Sequence, residues 1–159
     1  MNMNIKSLHL TVSVICKNND KSDTEYNNHF LMVEEHPNDN IGTVINQPAG
    51  HVEPNETLIE AVIRETLEET GYDLIPSHIV GIYQLTTKQG RTYFRICFCG
   101  SVEKHSPPTE IDSDIVAVHW MSKDAIFSST NQRSALVSQC LQDYLDGKRY
   151  PLDILRTLN

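Results

Sequence analysis

The sequence lacks the features of exported, membrane-spanning and disulfide-stabilised proteins. None of its apolar runs is long enough to span a bilayer, and residues 1–6 do not resemble the start of an export signal. Its four cysteines form no CxxC pair and do not have the spacing of a zinc site. These absences predict a cytoplasmic protein with free, buried thiols, because structural disulfides belong to oxidising compartments.

Positive charge is also scarce. The chain carries 21 acidic against 13 basic residues, for a formal net charge of −8. Such a protein repels a long polyanion, because nucleic-acid binding relies on Lys and Arg to neutralise phosphates. It can still bind a small phosphate compound when a metal ion supplies positive charge. The charge balance therefore excludes nucleic acid as a partner but leaves small phosphorylated molecules as substrates.

The length of 159 residues, 39% of them hydrophobic, predicts one globular domain spanning residues 1–159. Apolar and alternating segments predict strands at residues 8–16, 29–34, 43–45, 79–86, 92–102 and 115–121. Helices are predicted at residues 57–70, in a short stretch beginning at Ser122, and at residues 131–146 with Ser129 or Thr130 as the cap. Strands before and after a central helix predict an α/β fold, with a mixed β-sheet and helices on its faces.

The helix predicted at residues 57–70 carries three acids close together. Glu68 and Glu69 follow Glu65 by three and four positions, so the three acids fall within about one third of the helix circumference. Apolar residues indicate that this helix is covered on two sides (Leu58, Ala61 and Val62 on one, Ile59, Ile63 and Leu67 on the other). Partly buried carboxylates need protons or a cation, and Mg²⁺ or Mn²⁺ suits such hard oxygen ligands. A solvated acidic face is the alternative.

The segment before this helix, residues 46–51, is punctuated by Pro48 and Gly50. Such a loop can turn main-chain groups toward a ligand, or it can be an ordinary connection between a strand and a helix.

Residues 50–72, GHVEPNETLIEAVIRETLEETGY, resemble the Nudix box, G-x5-E-x7-R-E-U-x-E-E-x-G-U, in which U is a bulky apolar residue. Thr66 departs from the pattern, because it is smaller and more polar than the usual residue at the first U position. All of the fixed positions are filled, by Gly50, Glu56, Arg64, Glu65, Glu68, Glu69 and Gly71.

The resemblance implies a Nudix-type α/β/α sandwich with a loop-helix-loop metal site. It assigns metal ligation to Glu65, Glu68 and Glu69, with the Gly50 carbonyl as a further ligand. Either Glu68 or Glu69 is the catalytic base. The ligand expected outside the box is Asp114.

Further roles follow from the same resemblance. Glu110 and Asp112 are the alternatives to Asp114 in the same loop. Glu56 and Arg64 are expected to form a structural ion pair that holds the loop against the helix.

The activity implied is Mg²⁺-dependent hydrolysis of phosphoanhydride bonds in nucleoside triphosphates and diphosphates, with Mn²⁺ as a substitute. Segments outside the box, such as NQPAGH at residues 46–51, resemble a bacterial phosphatase subgroup that also implies a thiamine-precursor pyrimidine pyrophosphate as substrate. Ile45 stands where that subgroup has Trp, which predicts a different substrate preference. His51 and Arg95 are the expected substrate-binding residues, and the enzyme is expected to be a monomer.

Weaker candidates for substrate contact are Lys17 and Arg91 for phosphate, and Tyr83, Tyr93 and Phe94 for stacking on a base. Three alternative functions remain open from sequence. One is a Nudix enzyme for ADP-ribose or dinucleoside polyphosphates. Another is a sensor that binds a nucleotide without hydrolysing it, and the third is a purely structural protein with an acidic helix.

Overall fold

The computed structural model describes residues 8–37 and 42–158 of the chain. Within those ranges the elements are, in order, β1 (Leu8–Cys16), β2 (Phe30–Glu35), β3 (Val44–Asn46), β4 (Ala49–His51), α1 (Leu58–Thr70), β5 (Tyr72–Thr86), β6 (Thr92–Lys104), β7 (Ile115–Met121), α2 (Lys123–Ser128), α3 (Ala135–Leu145), β8 (Tyr150–Pro151) and a final 3-10 helix (Leu152–Ile154). No helix in these ranges combines the length and the apolar character needed to cross a membrane.

The strands form two sheets. The larger has the order β4-β1-β6-β5-β8, and its β1–β6 pair is parallel while its other pairs are antiparallel. The smaller has the order β3-β2-β7 and is antiparallel throughout. The predicted mixed sheet is therefore confirmed, and the sequence did not indicate that a second sheet would be separate from it.

Side chains that alternate along β1 and β6 build a core on each face of the larger sheet. One core includes Val12, Val14, Ile96 and Phe98 together with Ala61 and Val62 of α1. The other includes Ile15, Cys97 and Cys99 together with Ile126 of α2 and Val137, Cys140 and Leu141 of α3. Helices thus cover both faces, which confirms the α/β/α sandwich. All four cysteines are free and buried, as predicted.

Helix α1 has a defined signal at each end. Thr57 caps its start through a capping box, in which the Thr57 side chain accepts from the Glu60 N–H and the Glu60 side chain accepts from the Thr57 N–H. Gly71 ends it in the left-handed conformation, with φ of 71°. Inside the helix, buried Thr66 donates its hydroxyl proton to the Val62 carbonyl, so the polar departure from the box pattern is satisfied locally.

The prediction for α3 was wrong at its start. The helix begins at Ala135 with Ser134 as its cap, not near residue 131 with Ser129 or Thr130. Residues 131–133 run instead beside β3, where the Ile45 N–H donates to the Asn131 carbonyl and the Arg133 N–H donates to the Ile45 carbonyl. These tertiary hydrogen bonds replace the first turn of helix that the sequence favours locally.

The strand predictions were also incomplete. β5 begins at Tyr72, immediately after α1, because its first half pairs with the end of β6. Pro76 is tolerated there because the register shifts between Pro76 and His78. The predicted loop at residues 46–51 contains the short strand β4, which pairs with β1 and so places the glycine segment at the edge of the larger sheet.

Replacing Phe98 by Ala should lower the free energy of unfolding by about 3–5 kcal/mol, because Phe98 is 0% exposed and its removal leaves a cavity. Leu158→Ala is the control, since Leu158 is 91% exposed and its loss should cost less than about 0.5 kcal/mol. Urea-induced unfolding measures both free energies. Equal losses of stability in the two variants would contradict the placement of Phe98 in the core.

Candidate active site

The junction between β4 and α1 brings the glycine segment against the acidic helix. A β-carbon built on Gly50 would overlap the Glu65 carboxyl group, so any larger residue there would force that side chain to move. The neighbouring Ala49 N–H donates to Glu69 Oε2 over 2.9 Å. The main chain of β4 therefore contacts two of the three acids predicted to act together.

Arg64 links the loop to the acids of the helix. Its Nε lies 2.6 Å from Glu56 Oε1 and its Nη2 lies 3.0 Å from Glu56 Oε2, so the predicted ion pair is present and bidentate. Its Nη1 donates to Glu65 Oε1 and to Glu68 Oε2, over 2.8 and 3.0 Å. The Arg64 Nη2 also donates to the His51 carbonyl. One guanidinium thus determines how the loop and two of the acids are arranged.

Two acids of α1, Glu65 and Glu69, do not ionise easily in this environment. Glu69 is only 6% exposed, and burial raises its pKa to about 9. The Ala49 N–H opposes that rise, whereas the charges of Glu35, Glu65 and Asp112 add to it. Burial also raises the pKa of Glu65, and Glu68 and Asp112 contribute in the same direction. A cation among these carboxyl groups would offset both the desolvation and the repulsion between them.

A cleft of about 330 Å³ opens beside the same glycine segment. We call it the arginine cleft. Its lining includes Thr11, Glu35, Asn46, Gly50, His51, Tyr93, Arg95, Arg133 and Ser134. Both residues predicted to bind substrate, His51 and Arg95, therefore line it.

Several side chains of the arginine cleft interact with one another. Asn46 Nδ2 donates to Glu35 Oε1 over 3.2 Å, and Arg133 Nη1 lies 3.8 Å from the same oxygen. Burial lowers the pKa of His51, and the charges of Arg95 and Arg133 lower it further, which favours a neutral imidazole near pH 7. The cleft therefore combines two guanidinium groups with one carboxylate.

The weaker sequence candidates occupy different places. Tyr93 lines the cleft and stacks on His9, with ring centroids 4.7 Å apart. Tyr83 lies elsewhere and donates its hydroxyl proton to Asp143 over 2.9 Å. Ile45 packs in the core beneath α2 and α3, so the position does not contribute a side chain to the cleft lining.

A second cavity of about 360 Å³ lies between β5, the end of α3 and the tail. Ile79, Ile82, Tyr150 and Ile154 are among its lining residues, which include no residue of the acidic cluster. The arginine cleft is therefore the cavity that adjoins the candidate chemistry.

Comparison with known proteins identifies the family of this site. A model of the NUDIX domain matches residues 7–139. The chain belongs to the Nudix family. It is 38% identical over 130 residues to the phosphatase NudJ of Escherichia coli strain K12, covering 82% of this chain and 84% of that protein.

Solved structures agree with the assignment. The Nudix hydrolase from Nitrosomonas europaea is 40% identical, with a TM-score of 0.86 over 96% of this chain and 98% of its own. The MutT protein from Methanosarcina mazei Go1 is 20% identical, with a TM-score of 0.69 over 91% of this chain and 99% of its own, and that likeness shows the shared fold. The protein is accordingly a Nudix hydrolase, an enzyme that acts on acid anhydrides.

Nudix hydrolases use a divalent metal, and the Nudix box of this chain has the donor set for one. Glu65, Glu68 and Glu69 lie within hydrogen-bonding reach of Arg64 or the β4 main chain, next to the Gly50 segment. Within residues 8–37 and 42–158, however, no three acidic, His or Cys side chains already converge as a formed cage. Oxygens of Glu65 and Glu68 accept from Arg64 here, and an oxygen of Glu69 accepts from the Ala49 N–H.

Two acids outside the Nudix box act on it electrostatically. Asp112 donates its N–H to the Glu68 carbonyl over 2.8 Å, and its charge raises the pKa of Glu65 and Glu69. Glu35, on β2, raises the pKa of Glu69. Asp114 has an exposed side chain, and its carbonyl accepts from the His36 N–H. Its role as a metal ligand remains a prediction.

Glu35 and Arg133 were not predicted as members of this site, and Asn46 was named only as part of the segment 46–51. No spacing in the chain relates Glu35 or Arg133 to the Nudix box, because they come from β2 and the segment before α3. Asp112 was named only as an alternative to Asp114. Both are acids of the same loop before β7, and the sequence alone does not show which of them lies closer to the Nudix box.

Arg64→Ala should lower kcat by about 10²-fold, because it releases the loop and leaves Glu65 and Glu68 without their common donor. Arg64→Lys should recover little of the loss, since an ammonium cannot make the bidentate contact with Glu56. Steady-state kinetics measures this, and full activity of Arg64→Ala would contradict the positioning role.

The stability of the metal-free protein should fall as the pH rises. The Glu69 carboxyl keeps its proton to about pH 9 when folded but ionises near its ordinary value of 4.5 when unfolded. The folded state therefore binds more protons between these values, so the free energy of unfolding declines by at most about 1.4 kcal/mol per pH unit. The free energy of unfolding, measured in EDTA at pH 5, 7 and 9, tests this decline.

Glu69→Gln is the control for that titration, because it removes the ionising group and keeps the shape of the side chain. The variant should show a smaller decline than the wild type. Identical pH profiles for the two proteins would contradict the assignment of the raised pKa to Glu69.

Proposed function

We propose that this Nudix hydrolase cleaves phosphoanhydride bonds in nucleoside triphosphates and diphosphates, with Mg²⁺ as its cofactor and Mn²⁺ as a substitute. A thiamine-precursor pyrimidine pyrophosphate is a further candidate substrate. The observation that carries the proposal is the juxtaposition of a carboxylate cluster at Gly50 with a cleft that contains buried Arg95. The first part suits a divalent cation and the second suits a phosphate.

The metal-binding role falls to Glu65, Glu68 and Glu69, with the Gly50 carbonyl and Asp114 as further ligands. A divalent cation bound there supplies positive charge that offsets the charges of the phosphoanhydride and polarises its P–O bonds. The low exposure of Glu69 and the raised pKa of Glu65 support this assignment, because both groups gain most from a nearby cation.

The remaining steps belong to the side chains of the chain itself. Glu68 or Glu69 accepts the proton of the attacking water, while Arg64 holds Glu68 and the Ala49 N–H holds Glu69. His51 and Arg95 bind the substrate phosphates from the arginine cleft. The cleft lies beside Gly50, which supports substrate contacts next to the acidic cluster.

The net charge of −8 supports a small-molecule substrate over a nucleic acid. The free, buried cysteines agree with a cytoplasmic location. We propose a monomer of one domain, because the Nudix box and the arginine cleft are both built from a single copy of the chain. A sensor without turnover is disfavoured, because pure binding does not require the complete glutamate set of the box.

The test is to incubate the protein with GTP, GDP and the pyrimidine pyrophosphate, with Mg²⁺ or with EDTA, and to measure phosphate and pyrophosphate separately. Turnover should require the metal. Glu69→Gln should lower kcat by about 10²–10⁴-fold, because it removes a ligand or the base. Glu103→Gln, which changes an exposed carboxylate at the end of β6, should leave kcat unchanged.

Turnover that persists in EDTA or in Glu69→Gln would contradict the proposed mechanism. Preferential cleavage of ADP-ribose or of a dinucleoside polyphosphate would replace the proposed substrates with another Nudix specificity. Tight nucleotide binding without product would instead indicate a sensor.

A further inference from the structure

Arg95 is a buried cation without sufficient partners. It is 8% exposed, and its Nε and Nη1 have no hydrogen-bond acceptor in the described part of the chain. An arginine keeps its charge under all ordinary conditions, so it cannot relieve this cost by losing a proton. A buried charge is tolerated when an anion or a set of acceptors compensates it. The position therefore favours an anionic ligand.

The register of the larger sheet shows where that ligand would lie. Thr11 of β1 pairs with Arg95 of β6 on one side and with His51 of β4 on the other. The three side chains form a row across neighbouring strands, and all three line the arginine cleft. Gly50, beside His51, also lines it, so the cleft reaches from Arg95 to the Nudix box.

A second positive feature faces the same cleft. Arg133 and Ser134 precede α3, and Ser134 caps that helix through the Leu136 N–H. The start of a helix of 11 residues carries partial positive charge from its aligned peptide dipoles. The unpaired Arg95 and the start of α3 are independent observations that favour the same kind of ligand.

The carboxylate of the cleft does not cancel this charge. Glu35 Oε1 accepts from Asn46 Nδ2 and lies 3.8 Å from Arg133 Nη1, so Glu35 already has partners of its own. The pair formed by Glu35 and Arg133 is close to neutral, and Arg95 remains as the uncompensated charge. His51 adds a ring nitrogen as a possible donor without further charge.

We propose that the arginine cleft is a phosphate-binding site, in which Arg95, assisted by Arg133 and the start of α3, holds the terminal phosphoryl group of the substrate. Free inorganic phosphate binds in the same place. The part that concerns the substrate rests on the proposed function, whereas phosphate binding by itself does not. Arginine suits this task because its planar guanidinium donates several hydrogen bonds to phosphate oxygens.

A site for a terminal phosphoryl group should discriminate between classes of substrate. A terminal phosphoryl group carries up to two charges, whereas a phosphate esterified at both ends carries one. The cleft should therefore favour compounds with a free phosphate end, such as GTP and GDP, over compounds blocked at both ends, such as ADP-ribose and dinucleoside polyphosphates.

The direct test is calorimetric titration of the full-length, metal-free protein with inorganic phosphate, in EDTA and a buffer without phosphate. The wild type should bind one phosphate per chain. Arg95→Met should weaken binding by about tenfold to a hundredfold, because it removes the charge-assisted hydrogen bonds. Arg133→Met should weaken it less, since that charge is shared with Glu35.

Arg156→Met is the matched control, because Arg156 is exposed and lies outside the cleft. Its phosphate affinity should equal that of the wild type. Arg95→Lys is a second variant in case the apolar substitution does not fold. It keeps the charge but lacks the planar group, and its affinity should fall between those of the wild type and Arg95→Met.

No saturable phosphate binding by the wild type would overturn the proposal, and so would equal affinities of the wild type and both Arg95 variants. In kinetic assays Arg95→Met should raise KM for GTP by about tenfold or more and change KM for a dinucleoside polyphosphate little. An equal rise for both substrates would overturn the proposed substrate class.

These outcomes are separable from those of the proposed function. Phosphate binding that depends on Arg95, in a protein with no turnover on any substrate, would sink the proposed activity and support the phosphate site. Metal-dependent turnover without any phosphate binding at the cleft would support the proposed activity and overturn the phosphate site.

Discussion

The crowding of carboxyl groups around the main chain of Gly50 is the constraint on which the rest of the site depends. Glu65 lies so close to Gly50 that a β-carbon would overlap it, and Glu69 is buried against the Ala49 N–H. These groups repel one another and lose hydration, as the raised pKa of Glu69 reflects. Arg64 supplies part of the compensation, and the divalent metal that Nudix hydrolases use supplies the kind of charge that is still missing.

The fold places two sites of opposite charge on either side of one short strand. β4 directs Gly50 toward α1 and its acids, and it directs His51 toward the cleft that contains Arg95. The alternation of side chains along a strand makes this separation possible within two residues. A polyphosphate that spans the edge of the sheet could thus contact both the acidic and the basic site at once.

The same alternation anchors β1 in the core next to this edge of the sheet. β1 lies between β4 and β6, and its side chains reach a packed core on each face. Thr11 and Arg95 are buried in this scaffold, so packing constrains their positions relative to each other. Residues held by such a scaffold can recognise a phosphate without first reorganising, which favours binding.

The sequence by itself determined the parts of this protein that depend on nearby residues. The periodicity of residues 57–70 identified α1 and placed its three acids on one face, whereas the resemblance to the Nudix box implied the Glu56–Arg64 pair. Hydrophobic alternation likewise identified β1 and β6 as strands. These features were predictable because helical and strand periods, and contacts between residues a few positions apart, are encoded locally.

Only the tertiary structure decided the features that combine distant segments. The predicted start of α3 was wrong because residues 131–133 pair with β3, and no neighbouring residue in the chain indicates that pairing. Arg133 and Glu35 join Arg95 in one cleft for the same reason. Pairing between remote segments depends on the packing of the whole fold, whereas local propensity responds only to neighbouring residues.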